Sequence, residues 1–409
     1  MVQLNNTFKQ LAVRDDTSTR TKGPQTTKTN KSSTALSSNP TSTLSTSTTQ
    51  LLTVLSQLTS HLRRSNQFTP TLQHVKSLLY NKEYLAAFGT EGEEGENWRE
   101  VYFARWTPAR SVLYERAFRE LDVGAILGWE TDVKEQEARA IEAERRRREM
   151  KKKHEDETKE EKPVQVKAKV EEQEVIMIGA GAGAEIIALG CILGSANNAI
   201  PEESRPKIKI QAIDQGSWGE LARKMDEGMK EEWKNLTEAG EGGKTKMELE
   251  FVQGDLLAAY SADPNAAPSP LPPLNLDLSS PKLKVVTICF TITELLLQSR
   301  PSTLRFLSTL TASAPKDSYL LIIESASLAL IPIGTSGRTY PLGQLLDHAL
   351  CGGGGGEAKW EIVKSEEGKW FRMPEGAEDV YNRDVEESGK GMHVKLENSR
   401  VVLRLYRKL

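Results

Sequence analysis

The fold is decided by the stretch VIMIGAGAGAE, residues 175–185, in which an apolar run leads directly into alternating glycine and alanine. Four consecutive apolar residues that end at a glycine predict a buried strand. Glycines allow positive φ angles and a close approach of the backbone to a ligand. A helix predicted from about Ala184 would present its positive N-terminal end to that ligand. The stretch therefore predicts a strand, a ligand-binding turn and a helix.

Downstream of this stretch, apolar runs and amphipathic segments alternate, which is typical of a parallel sheet with crossover helices on both faces. Further strands are predicted over 208–214, 249–255, 285–290 and 319–325. The last apolar stretches predict antiparallel strands that close one edge of the sheet, over 360–366, 368–374 and 399–409. We therefore predict an α/β domain with a Rossmann-like sheet over residues 170–409.

The part of the chain before this domain divides by composition. Residues 1–50 are rich in Ser and Thr, and we expect a disordered tail because such a segment buries too little apolar surface to offset the entropy of ordering. Residues 51–129 carry apolar residues at helical spacing and predict a small all-α domain. Residues 130–169 are almost entirely polar and charged, which predicts a charged linker.

Three helices are predicted in the all-α domain. The first begins near Leu51, and the second covers 71–88. The third begins at Pro108, because proline is favoured in the first turn of a helix. The acidic, glycine-bearing residues 89–95 predict a loop between the second and third helices.

Composition excludes several classes of protein. The net charge of −3 gives no general attraction to nucleic acid, so any RNA contact must use local basic patches. The three cysteines lie far apart with no CxxC spacing, which argues against a disulfide scaffold and a zinc site, and we expect no metal. No run of 18 apolar residues occurs, so no membrane span is predicted. The sequence does not indicate an oligomeric state.

Two segments bear on the location of the protein in the cell. The basic cluster at 145–153 fits a nuclear-import signal or a contact with RNA phosphates, and equally one face of a charged linker helix. The Ser/Thr-rich, mildly basic N-terminus leaves a mitochondrial transit peptide as an alternative to a plain disordered tail. We expect a nuclear or nucleolar protein, with the cytoplasm as a further location.

The glycine-rich turn predicts a nucleotide cofactor. In methyltransferases such a loop wraps the methionine and ribose part of S-adenosylmethionine, whereas in dehydrogenases it holds a pyrophosphate. The spacing of the glycines fits both kinds of cofactor. The loop residues that we predict to bind the cofactor are Gly179, Ala180, Gly181 and Gly183.

Carboxylates follow the next two predicted strands. Asp214 ends the second strand, where a carboxylate can accept hydrogen bonds from both ribose hydroxyls, or alternatively cap a helix. Asp255, followed by Leu256, comes after the third strand, where methyltransferases often place an acidic residue against the adenine amino group; the alternative is a loop cap. A dehydrogenase has less use for Asp255. This residue and the antiparallel strands favour a methyltransferase over a nicotinamide-dependent oxidoreductase.

The end of the fourth predicted strand, where acceptor chemistry usually takes place, carries Thr291 and Glu294. Thr291 is a candidate for substrate binding and Glu294 for catalysis, although either could cap the next helix. Motifs typical of methylation at exocyclic amino groups are absent, and so is a Pro-Cys pair typical of attack on a pyrimidine carbon. Cys289 is therefore predicted to be a buried, small apolar residue.

The fifth predicted strand ends near Glu324, a second candidate catalytic carboxylate. A glycine-rich loop with Arg338 and Tyr340 follows it. These two side chains could bind a phosphate and stack on a base, or belong to an ordinary surface loop.

Four segments resemble the fungal large-subunit (25S) rRNA uridine-N3 methyltransferase family, and they are more specific than the glycine loop. They are residues 80–88 (YNKEYLAAF), 104–110 (ARWTPAR), 290–326 and 334–347. The resemblance covers about 70–128 and 174–409. It implies a class I, Rossmann-like fold and transfer of a methyl group from S-adenosylmethionine to N3 of a uridine in large-subunit rRNA or a pre-ribosome.

The resemblance assigns no catalytic residue. Methylation at N3 requires loss of the N3 proton, so Glu294 or Glu324 is predicted to act as the base because both lie at the sheet edge. One departure concerns Met177, which stands where methyltransferases usually have an acidic residue that holds the cofactor's amino group. A non-catalytic ribosome-assembly factor on the same fold is therefore an alternative, beside the oxidoreductase.

Overall fold

The computed structural model describes residues 44–129, 172–196, 205–237, 246–261, 269–333, 338–352 and 358–409. The described strands are β1 (Gln173–Ile178), β2 (Ile208–Asp214), β3 (Met247–Gln253), β4 (Leu283–Cys289), β5 (Tyr319–Ser325), β6 (Leu330–Ile333), β7 (Arg338–Pro341), β8 (Trp360–Phe371) and β9 (Ser399–Lys408). The described α-helices are α1 (Thr46–Arg63), α2 (Phe68–Tyr80), α3 (Tyr84–Gly89), α4 (Gly92–Glu120), α5 (Val123–Ile126), α6 (Ala184–Gly194), α7 (Gly219–Glu232), α8 (Leu256–Ala259), α9 (Ile292–Gln298), α10 (Arg300–Ser313), α11 (Leu342–Cys351) and α12 (Ala377–Ser388).

Seven of these strands form one sheet in the order β3-β2-β1-β4-β5-β9-β8. Strands β1 to β5 are parallel, and their order is that of a Rossmann-type sheet. Strand β9 runs antiparallel to both β5 and β8, while β6 and β7 form a separate hairpin. The predicted fold class and the predicted antiparallel edge are confirmed, but the two strands predicted over 360–366 and 368–374 are one strand, β8, with bulges in its pairing with β9.

The sheet is covered on both faces, because alternate residues of a strand point to opposite sides. Val175 and Met177 of β1 belong to one apolar cluster, which also contains residues of α1, α4, α6, α7 and α12. Ile176 and Ile178 belong to the other, which contains residues of α8 to α11. The helices of residues 44–129 therefore share a continuous core with the sheet. In the described part of the chain, no helix is long and apolar enough to span a membrane.

Several helices of residues 44–129 begin or end at other residues than the sequence predicts. Helix α1 begins at Thr46, inside the predicted tail, where Ser45 caps it by accepting a hydrogen bond from the Thr48 backbone N–H. The predicted helix over 71–88 is two helices, separated at Lys82 with a φ of 63°. The predicted acidic loop is wrong, because α4 begins at Gly92. The remainder of the predicted tail and the charged linker lie outside the described residues, and the domain division stays a prediction.

The predicted helix start at Pro108 is also wrong, because Pro108 lies inside the 29-residue helix α4. Proline has no backbone N–H, so the carbonyl of Ala104, four residues earlier, loses its usual helical hydrogen bond. Tyr381 of α12 replaces that bond: its hydroxyl donates to the Ala104 carbonyl oxygen at 2.8 Å and is also 2.9 Å from the Thr59 hydroxyl. Tyr381 is fully buried. Tyr381 thus supplies the hydrogen bond that α4 lacks at its proline.

We expect Tyr381→Phe to destabilise the protein by about 1–3 kcal/mol, the typical cost of a buried polar group that loses its partner. In a Pro108→Ala background the new N–H can donate to the Ala104 carbonyl, so the same substitution should cost less there. Urea unfolding of the four proteins in a double-mutant cycle measures this coupling. If Tyr381→Phe lowers the free energy of unfolding equally in both backgrounds, Tyr381 does not compensate for the proline.

Candidate active site

The predicted site residues are distributed along the carboxyl edge of the parallel strands. Gly179 follows β1, Asp214 ends β2, Asp255 follows β3, Thr291 follows β4, and Glu324 lies one residue before the end of β5. In open α/β sheets, ligands bind at this edge, in the crevice where the strand order reverses. Here the reversal lies between β1 and β4.

The glycine loop after β1 is packed so tightly that side chains are excluded. Gly179 and Gly183 have φ angles of 74° and 71°, which disfavour any other residue. A Cβ atom added to Gly179 would overlap with Thr291, and one added to Gly183 would overlap with Met225. A Cβ at Gly181 would overlap with the Trp218 ring and lie 2.7 Å from Asp214 Cγ. Such a backbone cradle fits a nucleotide cofactor.

Asp214 fixes this loop to the segment after β2. Its carboxylate accepts hydrogen bonds from the Gly181 N–H (3.1 Å), the Gly216 N–H (2.7 Å) and the Trp218 ring N–H (3.1 Å). Burial raises the pKa of Asp214, and these hydrogen bonds oppose that rise. The structure therefore brings Asp214 to the glycine loop, while its contact with a ribose stays a prediction.

The three remaining predicted cofactor residues lie in the segments that follow β1 and β3. Ala180 is buried, and its N–H donates to the Ile213 carbonyl oxygen at 3.2 Å. Asp255 caps helix α8, because its carboxylate accepts the Ala258 N–H at 3.0 Å. Leu256 is the buried first residue of that helix. The capping alternative for Asp255 is thus realised, and its predicted contact with adenine stays untested.

The two candidate catalytic carboxylates have different environments, and Glu324 is the more constrained. Its side chain is buried, and its two oxygens accept the backbone N–H groups of Thr293 (3.1 Å) and Ser325 (2.8 Å). Burial raises its pKa, although both hydrogen bonds favour the ionised form. Glu324 therefore ties the end of β5 to the first turn of α9.

Glu294 lies in that first turn of α9 and is only partly buried. Its one described hydrogen bond is accepted by Oε1 from the Gln298 side-chain amide at 2.9 Å. Burial, together with the negative charges of Asp214 and Glu324, raises the pKa of Glu294 to about 7. A carboxylate with this pKa can take up and release a proton near neutral pH.

The predicted substrate-binding residues do not form one group. The Thr291 hydroxyl donates to the Cys289 carbonyl oxygen at 3.0 Å, directly behind Gly179. Tyr340 is 43% exposed and pairs with Ile331 in the β6–β7 hairpin. Arg338 begins β7, but its side chain and residues 334–337 lie outside the described part. Only Thr291 is therefore placed at the glycine loop.

Helix α4 contributes residues to this edge that the sequence analysis did not assign. The Thr107 hydroxyl donates to the Ala182 carbonyl oxygen of the glycine loop at 2.8 Å. One turn further on, Arg110 donates to the Tyr102 hydroxyl at 2.8 Å, and its guanidinium lies 5.2 Å from the centre of the Phe290 ring. Among the described residues, Arg110 makes no salt bridge. Both residues lie in ARWTPAR, one of the segments that carry the family resemblance.

Aromatic residues of the helical segment line the same region. Phe88 and Tyr102 lie 5.2 Å and 5.9 Å, between ring centres, from Trp218. The Tyr84 hydroxyl is near enough to Glu294 for the carboxylate's charge, after burial, to help raise the Tyr84 pKa to about 12. The site is therefore built from both the helical segment and the sheet.

Phe290 is a second residue whose role the sequence did not indicate. It follows β4 with a φ of 54°, a left-handed conformation that is unusual for a bulky residue. Its N–H donates to the Ile323 carbonyl oxygen of β5 at 2.7 Å, which holds the backbone in place. Such strain is concentrated at functional sites. This conformation turns the chain after β4, just before the segment with Thr291 and Glu294 where the methyl acceptor is predicted to bind.

A buried polar group lies beneath the glycine loop. Glu185, in the first turn of α6, accepts a hydrogen bond from the Thr287 hydroxyl at 2.8 Å. Burial raises its pKa to about 7, against the hydrogen bonds from Thr287 and Cys289. Cys289 is buried as predicted, and burial raises the pKa of its thiol.

We expect Gly181→Ala to weaken binding of the predicted cofactor, S-adenosylmethionine, at least tenfold, because the new methyl group must displace Trp218 or Asp214. Calorimetric titration measures this affinity, and the thermal unfolding midpoint shows whether the variant is folded. Gly219→Ala is the matched control, since its Cβ would lie 3.6 Å from Phe251, an ordinary contact. Wild-type affinity in Gly181→Ala would show that the loop does not hold the cofactor.

Comparison with known proteins gives concordant results. A family model described as "Putative SAM-dependent methyltransferase" matches residues 55–407. The 25S rRNA (uridine(2843)-N(3))-methyltransferase of Saccharomyces cerevisiae is 24% identical over 322 residues, which are 75% of this chain and 72% of the yeast protein. The yeast relative confirms the family resemblance that was inferred from the sequence.

Solved structures of methyltransferases also align with the chain. One from Methanosarcina mazei, a SAM-dependent methyltransferase, covers 61% of this chain and 99% of its own length at 13% identity, with a TM-score of 0.30. The arsenic(III) S-adenosylmethionine methyltransferase of Chlamydomonas reinhardtii covers 59% and 64% at 13% identity, with a TM-score of 0.31.

The family model extends over α1 to α5 as well as the sheet, in agreement with their common core. The cofactor is S-adenosylmethionine, and the glycine loop and Asp214 are the residues best placed to hold it. The nicotinamide alternative is set aside by the family match. The chain belongs to the family of SAM-dependent methyltransferases that this model describes.

Proposed function

We propose that this methyltransferase modifies N3 of a uridine in large-subunit rRNA. The observation that carries the proposal is Glu294, a partly buried carboxylate at the end of β4 whose pKa burial raises to about 7. The named activity of the yeast relative supports the same substrate class.

The chemistry of N3 explains why such a carboxylate is useful. N3 of a neutral uracil carries a proton, and methylation there requires that proton to be lost. Bound S-adenosylmethionine would supply the methyl group. Above its pKa of about 7, Glu294 is ionised and can accept the N3 proton through its Oε2 atom, while Gln298 holds Oε1 in place. Glu324 is less suited to this role because both of its oxygens already accept backbone hydrogen bonds.

Arg110 provides the complementary charge. When N3 loses its proton, negative charge spreads over the two uracil carbonyl oxygens that flank it. A guanidinium that is held in a half-buried site and forms no salt bridge with a described residue can stabilise this charge more strongly than water would. Tyr102 accepts one N–H of Arg110, and the Phe290 ring lies beneath the guanidinium. We therefore assign Arg110 to the uracil oxygens and Glu294 to the N3 proton.

The target uridine must be unpaired. N3 lies on the Watson–Crick edge, so a paired uridine would have to leave its stack to reach the site. The half-buried ring of Tyr102 and the buried ring of Trp218 at this edge are suited to exclude water from the site. A nuclear or nucleolar location fits this substrate, and the basic cluster at 145–153, outside the described residues, is the segment we propose to direct it there.

The expected activity is tested with purified protein, isotope-labelled S-adenosylmethionine and large-subunit rRNA, with N3-methyluridine identified after digestion to nucleosides. Glu294→Gln should lower the rate by about 10²–10⁴-fold, the usual contribution of a general base. The wild-type rate should rise as the pH is raised through about 7 and then level off, because the base must be ionised. This rise should be absent from the residual activity of the variant.

Glu324→Gln is the comparison variant, and we expect it to affect stability more than the pH profile. A protein that binds S-adenosylmethionine and associates with pre-ribosomes but forms no N3-methyluridine would instead support the assembly-factor alternative. Methylation at another atom of the RNA would retain the enzyme class and overturn the assignment to N3.

A further inference from the structure

Beyond the methyl-transfer site, the same edge of the sheet carries an exposed aromatic residue, Trp370. The β5–β9 register places Ser325 opposite Val401, so β9 begins at the edge where β5 ends. The β8–β9 register places Trp370 opposite Arg400, so the end of β8 lies at this edge too. Trp370 is 57% exposed, an unusual position for the largest side chain.

Two arginines lie beside Trp370. Arg400 is its cross-strand neighbour, and Arg372 lies two residues further along the chain; both residues are exposed. We call Trp370, Arg372 and Arg400 the Trp370 surface. Arg116 of α4 donates to the Arg372 backbone oxygen at 2.6 Å, but its guanidinium lies 5.9 Å from the centre of the Phe371 ring, on the face of β8 opposite to Trp370.

Among the described residues, no carboxylate forms a salt bridge with either arginine of this surface. Neighbouring cations do form such pairs: Lys369 pairs with Glu120, and Arg105 pairs with Glu397. Arg400 instead donates to the Gly368 carbonyl oxygen at 3.1 Å. Gly368 lies at a bulge of β8 and permits this contact, since a Cβ there would be 2.7 Å from Arg400 Nη2. Two positive charges thus lie beside an exposed ring in a protein whose net charge is −3.

An exposed ring beside two arginines matches the chemistry of single-stranded nucleic acid. Bases stack on aromatic side chains, and arginines neutralise the phosphates that link them. The surface is also close enough to the site for one RNA segment to reach both. From β4 to β8 there are three strand spacings, about 14 Å in all. Helix α4 joins the two places, because Arg110 lies at the site and Arg116, about 9 Å further along the helix, holds the backbone of Arg372.

We propose that the Trp370 surface binds a single-stranded RNA segment that flanks the methylated nucleotide, with a base stacked on Trp370 and phosphates on Arg372 and Arg400. The proposal rests on the proposed function, since it assumes an RNA substrate. It accounts for RNA binding by an acidic protein through one local basic patch.

The test measures binding of a fluorescently labelled, single-stranded oligonucleotide from large-subunit rRNA to the full chain at several salt concentrations. Trp370→Ala should weaken binding roughly tenfold, whereas Trp370→Phe, which retains a ring, should weaken it less. Arg372→Ala and Arg400→Ala should each reduce the slope of log affinity against log salt by about one. Ile362→Ala is the matched control, because Ile362 is 44% exposed on the same strand but far from its C-terminal end, and it should bind like the wild type.

The outcomes separate this inference from the proposed function. If Trp370→Ala raises the KM for RNA and leaves the affinity for S-adenosylmethionine unchanged, both stand. If the wild type methylates RNA and Trp370→Ala binds and methylates it with unchanged affinity and KM, the inference is wrong and the function stands. If the wild type neither binds nor methylates RNA, both are wrong, and the Trp370 surface must serve another partner.

Discussion

The structure depends on the close approach that glycine permits between β1, α6 and their neighbours. At three positions of one turn the space that a Cβ would need is taken by Thr291, which follows β4, and by Trp218 and Met225, which both follow β2. The turn is therefore the point where the segments after β1, β2 and β4 meet. Because protein interiors are close-packed and strain is transmitted through them, a methyl group added there must move one of these partners. The backbone N–H groups of this turn are also hydrogen-bonded within the protein, to Ile213, Asp214 and Ala180, so the protein itself fixes the conformation of the turn.

Burial at this turn also determines the electrostatics of the site. Asp214, Glu185, Glu294 and Glu324 all lie near it, and burial raises the pKa of each. Their mutual repulsion adds to the effect, since Asp214 raises the pKa of both Glu185 and Glu294. The carboxylates differ in how strongly hydrogen bonds oppose the rise. Glu324 is held by two backbone N–H groups, whereas Glu294 has a single amide partner, and this difference separates an anchoring role from a role in proton transfer.

Much of the sheet could be predicted from sequence, because buried parallel strands are apolar throughout and end at recognisable glycines and carboxylates. The helical segment was harder. Pro108 indicated a helix start, yet it lies within α4, because the Tyr381 hydroxyl satisfies the carbonyl that proline leaves without a partner. That contact joins residues 277 positions apart, and no local pattern can reveal it. The choice between Glu294 and Glu324 was equally out of reach, since it depends on which backbone N–H groups meet which carboxylate.

The same long-range contacts make the helical segment part of the catalytic unit. The Thr107 hydroxyl holds the glycine loop, and Arg110, one turn later in α4, supplies a positive charge near Glu185, Glu294 and Glu324. A sheet without α4 would lose both, and the apolar surfaces of α6 and α7 that share its core would be exposed to water. At about 25 cal/mol per Å² of apolar surface, such exposure would remove a large part of a typical domain's net stability. The helices before β1 are therefore needed to complete both the core and the site, which explains why the family model extends across them.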